Sequence, residues 1–197
     1  MEGDLLDIDR AFAEKVAQTI GGEITADRVS KFLEKASQIG LLVRGIKSRK
    51  RSEQAINEGV LPSAPDGGKM ASWWALGKKI FAYPETVGIG RGFGLDTPFF
   101  SYGHWSKGTE NESGYTLAVT TKDQVSPDSY FEGSEQAQIT EPLDTSKIQF
   151  IILSKQLEKP EDRTREAGQA CEQRAFVELE KIVNEGPQFG SVIRATI

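Results

Sequence analysis

An arginine interrupts an apolar stretch, residues 41–48, whose composition is typical of a core strand. The guanidinium of Arg44 keeps its charge inside a protein. It must therefore face a cleft, pair with an acid or meet an anionic ligand, and the sequence leaves these three possibilities open. A short helical pattern over 52–59, ending at Gly59, follows the strand.

Two later pieces of the chain could combine with this arginine. Ser101 stands near the end of a predicted strand, 97–102, between Phe100 and Tyr102. Glu135 follows within the turn-rich, acidic segment 126–144. Each also has a plain structural interpretation, because Arg44 could pair with an acid at the core edge, the serine could be an ordinary strand-end hydroxyl and the glutamate a turn acid.

In this order the three pieces resemble the arginine-serine-glutamate class of the ADP-ribosyltransferase superfamily. The resemblance covers residues 41–154 and includes Val43-Arg44-Gly45, followed by a helix with Ala55-Ile56 and a terminal Gly59. It implies an NAD-dependent mono-ADP-ribosyltransferase or an NAD glycohydrolase-like enzyme, with NAD as the substrate. A protein or a nucleic acid would be the acceptor.

The same resemblance implies a role for each site residue. Arg44 and Gly45 would bind NAD, the guanidinium forking onto a phosphate or ribose oxygen. Phe100 or Tyr102 would stack on the nicotinamide. Ser101 would support the catalytic glutamate and the nicotinamide ribose.

Glu135 would stabilise the positive charge that develops at C1′ as nicotinamide leaves. Members that modify arginine carry glutamate or glutamine two residues before that glutamate, and here the position is Gly133. This departure argues against arginine as the acceptor, or else it transfers the catalytic role to Glu132 or Glu141. The middle motif also departs, since Phe100-Ser101-Tyr102 replaces the common serine-threonine-serine.

The main alternative is a non-catalytic interaction domain, such as an immunity or accessory protein. Its binding surface would be built from the aromatic residues Trp73, Trp74, Tyr83 and Trp105, a type enriched among interface anchors. A degenerate transferase that keeps the fold without turnover is a third possibility.

Other chemistries have weaker support. The glycine-rich piece 88–94 lacks the spacing of a dinucleotide fingerprint. His104 is the only histidine and Cys171 the only cysteine, so neither a disulfide within the chain nor a cysteine-built metal site can form. We expect no bound metal.

The charge balance excludes one class of partner. A net charge of −5 and a pI near 5.1 argue against a non-specific nucleic-acid binder, although the basic run 47–51 could form a local patch. No apolar run is long enough to span a bilayer, and the N-terminus lacks a signal-peptide pattern. We therefore expect a cytoplasmic protein, or one exported without a cleavable N-terminal signal.

The periodicities predict an α+β fold, a mostly antiparallel β core with two N-terminal helices and a long C-terminal helix. Residues 1–40 would form the helical pair packed on the core, and 41–197 the α+β domain. Helices are predicted over 7–20, 25–40, 52–59, 70–79 and 160–184, and strands over 41–48, 80–83, 97–102, 115–121, 147–153 and 192–197.

Overall fold

A computed structural model describes residues 2–21, 23–46, 49–63, 72–77, 114–133, 136–154 and 165–196. These ranges contain four α-helices, α1 (Glu2–Ile20), α2 (Ala26–Gln38), α3 (Arg49–Glu58) and α4 (Arg165–Glu185). The strands are β1 (Leu41–Ile46), β2 (Val60–Leu61), β3 (Ser72–Leu76), β4 (Gly114–Thr121), β5 (Tyr130–Glu132), β6 (Gln136–Ile139), β7 (Leu143–Asp144), β8 (Gln149–Ser154) and β9 (Val192–Thr196). The predicted α+β class is confirmed.

Local signals account for the ends of the second helix and the start of the sheet. Thr25 is the N-cap of α2, and its hydroxyl accepts a hydrogen bond from the Arg28 amide. Gly40 follows the helix with a φ of 65°, a left-handed conformation that glycine adopts without a steric penalty. The chain then enters β1 directly.

Seven strands form one sheet in the order β5-β6-β3-β1-β4-β8-β9, and β2 and β7 form a separate pair. Every pairing in the large sheet is antiparallel except that of β8 with β9. Because parallel neighbours need a long crossover, the 21-residue helix α4 lies in the connection between those two strands. The sheet is therefore mostly antiparallel with one parallel edge.

The two faces of the sheet bury different layers. Alternate residues of β1 point to opposite faces. Leu41 and Val43 pack in a core shared with α1, α2 and α4, whereas Leu42 and Ile46 pack in a second core shared with α3, β2 and β7. The helical layer thus covers one face, and α3 with the small sheet covers the other.

One secondary-structure prediction is wrong. Residues 72–76 form strand β3, not part of a helix over 70–79. This strand pairs with β1 on one side and with β6 on the other, so long-range pairing on both edges outweighs the local helical pattern. The predicted strands over 80–83 and 97–102 lie outside the described residues.

Candidate functional site

Arg44 projects from β1 into the second core. Its partner on β4, Ala118, and its strand neighbours Leu42 and Ile46 all belong to that layer. The guanidinium is partly buried, and Nη1 donates to the carbonyl oxygen of Pro62 at 3.0 Å. Among the described residues no carboxylate lies within 4.0 Å of it.

Burial shifts the pKa of this arginine. It lowers the pKa of Arg44 well below its ordinary value, to about 10, and no acid among the described residues counteracts the shift. The side chain still carries its charge at neutral pH. A partly buried cation with fork-like donors and no acidic partner among the described residues is the arrangement that binds a phosphate or a carboxylate.

The sheet is incompletely paired beside Arg44. Strand β1 pairs with β4 over six residues, from Leu41 to Ile46. With β3 it pairs over only two, Leu42 with Leu76 and Val43 with Ala75. Arg44 is therefore the first residue of β1 beyond the last pair with β3, and Gly45, which is buried, follows it.

On the other side of this unpaired stretch, β3 remains bound to β6. Trp74 pairs with Ala137 and Ser72 with Ile139. The Ser72 hydroxyl donates to the Ile139 carbonyl oxygen at 3.1 Å and accepts from Trp74 Nε1 at 2.9 Å. Both side chains are buried, so Trp74 belongs to the core and not to an aromatic binding surface.

Ser72 is a candidate that sequence reasoning missed. It stands on the strand next to β1, on the same face as Trp74, whereas Phe100, Ser101 and Tyr102 lie outside the described residues. The signal that could have indicated it is a serine two residues before a tryptophan in a short apolar run. That signal is weak, since only the strand order shows that Ser72 lies on a neighbour of β1.

Glu135 also lies outside the described residues, but the next residue can be located. Gln136 pairs with Ala75, and Ala75 pairs with Val43. Two strand spacings correspond to about 10 Å. The described neighbour of Glu135 is therefore two strands away from the residue that precedes Arg44.

The two alternative glutamates are already engaged. Glu132 Oε2 accepts from Lys122 Nζ at 2.6 Å and from the Tyr130 hydroxyl at 2.9 Å. Burial, followed by this hydrogen bond, raises the pKa of Tyr130 above its ordinary value. Glu141 Oε1 accepts from the Ser126 amide at 3.1 Å and so stabilises the connection between β4 and β5.

The remaining candidates add no second site. Tyr83, His104, Trp105 and the 88–94 segment lie outside the described residues. Within the described ranges no three His, Cys, Asp or Glu side chains are placed to hold a metal ion. No described helix has both the length and the apolar character needed to cross a membrane.

Comparisons with protein-family models, with curated proteins and with solved structures find no match to this chain.

Proposed function

We propose that this chain is an NAD-dependent mono-ADP-ribosyltransferase or an NAD glycohydrolase-like enzyme that cleaves the bond between nicotinamide and ribose. Arg44 carries the proposal. A guanidinium has five N–H donors, and the described part of the chain engages one of them, with the neutral Pro62 carbonyl. A phosphate of NAD would accept from the remaining donors and offset the burial of the charge.

The end of the ladder between β1 and β3 gives Arg44 its place in the proposal. The arginine stands where β1 stops pairing with β3, so the backbone edges of both strands are free of ladder hydrogen bonds to each other from this point. Gly45 follows in β1 and presents no side chain. Arg44 and Gly45 are the NAD-binding residues of the proposal, with Phe100 or Tyr102 stacking on the nicotinamide.

The reaction requires little covalent work from the protein. Nicotinamide leaves with the electron pair of the bond to C1′, and the Glu135 carboxylate stabilises the positive charge left on the ribose. Water in the hydrolase, or a nucleophilic group of a protein or nucleic-acid acceptor in the transferase, then attacks C1′ and releases its proton to solvent. Gly133 in place of glutamate or glutamine argues against arginine as that acceptor.

The supporting hydroxyl has two candidates. The sequence motif assigns it to Ser101, and the strand order favours Ser72, which lies on the strand adjacent to β1. The Ser72 hydroxyl already donates to a carbonyl oxygen and accepts from an indole. Ser72 could therefore contribute through its effect on Trp74 even without touching NAD.

One observation favours the interaction-domain alternative. Phe131, on the edge strand β5, exposes 55% of its surface. Trp74, one of the four aromatic residues assigned to that surface, is fully buried. The burial of Trp74 removes one of the four residues proposed for that surface, so we retain the enzyme as the first proposal.

The test is release of nicotinamide from NAD, followed by chromatography. We expect turnover in the wild type and its loss in Glu135→Gln, with Glu141→Gln as the matched control because that carboxylate binds a backbone amide. If turnover is lost in Glu141→Gln and retained in Glu135→Gln, the catalytic role belongs to Glu141. Ser72→Ala and Ser101→Ala are assayed in parallel, and the variant that loses turnover identifies the serine that supplies the supporting hydroxyl.

Two results would refute the proposal. The first is a folded wild type that neither binds NAD by calorimetry nor releases nicotinamide. The second is binding of NAD without turnover, which would support the degenerate transferase in place of the enzyme.

A further inference from the structure

Three side chains join the edge hairpin β5–β6 to the end of β4. Lys122, directly after β4, places Nζ 2.6 Å from Glu132 Oε2 and 5.0 Å from the centre of the Tyr130 ring. The Tyr130 hydroxyl donates to the same Glu132 oxygen at 2.9 Å. Each of the three side chains thus contacts the other two, which restrains the cluster more than one isolated ion pair would.

The backbone of Lys122 extends this connection to β1, the strand that contains Arg44. Its amide donates to the Gly40 carbonyl oxygen at 2.9 Å, and Gly40 directly precedes β1. The approach is close, because a Cβ on Gly40 would lie 3.2 Å from Lys122 Cβ. Lys122 therefore contacts the entry to β1 with its backbone and the hairpin with its ammonium group.

The hairpin is held on both described sides of Glu135. On one side Glu132 binds Lys122, and the Gly133 amide donates to the Gln136 carbonyl oxygen at 2.8 Å. On the other side Gln136 pairs with Ala75 of β3. The Lys122–Glu132 ion pair connects this hairpin to the end of β4, and through the Lys122 amide to the start of β1, by contacts that do not involve β6 or β3.

We propose that Lys122 is a positioning residue. It fixes the position of the β5–β6 hairpin relative to β1, the strand that carries Arg44. This inference rests on the proposed function, in which Glu135 stabilises the reacting ribose. Lys122 touches no substrate. It acts through Glu132, and its loss changes turnover more than NAD binding, because NAD binding is assigned to Arg44 and Gly45.

The experiment compares wild type, Lys122→Met and Lys122→Arg, with Lys31→Met as the control. Lys31 forms a similar exposed ion pair, 2.7 Å from Asp27 on α2. We expect Lys122→Met to accelerate amide hydrogen exchange at Gly133 about tenfold, from the combined loss of the ion pair and the cation–π contact. We expect its kcat to fall by about tenfold with KM for NAD nearly unchanged.

The conservative variant separates positioning from a merely structural role. Arginine at 122 can reach Glu132 and lie over the Tyr130 ring, so it should restore both exchange at Gly133 and kcat, while Lys31→Met should change neither. Unchanged exchange in Lys122→Met would overturn the inference even if NAD is cleaved. Faster exchange with unchanged kcat would overturn it as well.

Failure of the proposed function gives a different result. If the wild type releases no nicotinamide while Lys122→Met accelerates exchange at Gly133, the connection through Lys122 stands. The catalytic proposal, and with it the positioning role, is then overturned.

Discussion

Replacing Arg44 with methionine should stabilise the protein while weakening its binding of NAD. The fall in the pKa of Arg44 to about 10 corresponds to about 3 kcal/mol of unfavourable charge burial in the folded state. Methionine removes that cost and keeps an apolar stem of similar length. It also loses the hydrogen bond to Pro62, which is worth about 1.5 to 3 kcal/mol because the donor is charged.

The balance of these two quantities predicts that Arg44→Met raises the free energy of unfolding by up to about 1.5 kcal/mol. For a chain of this length that is an increase in Tm of up to about 6 °C. Urea unfolding without ligand measures the first quantity and a thermal melt the second. With saturating NAD this advantage of Arg44→Met should disappear, because a bidentate, charge-assisted contact in the wild type is worth at least tenfold in Kd, or about 1.4 kcal/mol.

Arg28→Met is the matched control. Arg28 forms a two-pronged ion pair with Glu180, at 2.8 and 2.5 Å, so the same substitution there leaves a partly buried carboxylate without its partner. It should lower the free energy of unfolding by about 1 to 2 kcal/mol. If Arg44→Met destabilises the protein as much as the control, Arg44 is a satisfied structural arginine and the anion site is refuted.

Three further predictions concern the scaffold. Gly77→Ala should cost more than about 2 kcal/mol in urea unfolding, because the new Cβ would lie 2.5 Å from the Ala36 carbonyl group; an unchanged midpoint would contradict this close approach. Ser72→Ala should cost about 1 to 3 kcal/mol, since it leaves the buried Trp74 indole N–H without its acceptor, and altered tryptophan fluorescence should accompany it. For Tyr130 the folded-state pKa is raised, so the unfolded chain loses its phenolic proton first and stability should fall as pH rises above about 10. Tyr130→Phe should lose this part of the alkaline fall, and unfolding curves at pH 9 and pH 11 that match the wild type would contradict it.

Local chemistry made much of the fold predictable. The N-cap at Thr25, the glycine after α2 and the alternating pattern of β4 each depend on neighbours in sequence, so the corresponding elements lie where they were predicted. The short strands β5 and β6 were not identified, because they depend on pairing with each other and with β3. The helix predicted over 70–79 failed for the same reason.

The candidate site was predictable only in part. A charged residue in an apolar strand singled out Arg44, and that inference needs nothing beyond its neighbours in sequence. The neighbour of β1 could not be predicted in the same way, because the adjacency of β3 and β1 depends on long-range pairing over only two residue pairs. Ser72 was therefore overlooked, and the assignments to Ser101 and Glu135 remain predictions.

The two-pair ladder also has a mechanical consequence. It is the shortest ladder joining neighbouring strands of the large sheet and separates β5, β6 and β3 from β1, β4, β8 and β9. A seam of so few bonds resists bending less than the six-pair ladder on the other side of β1. Under load the described sheet should bend at the two-pair ladder near Val43, while the strands on either side move as two rigid groups. The charge of Arg44 lies directly beside this bending point.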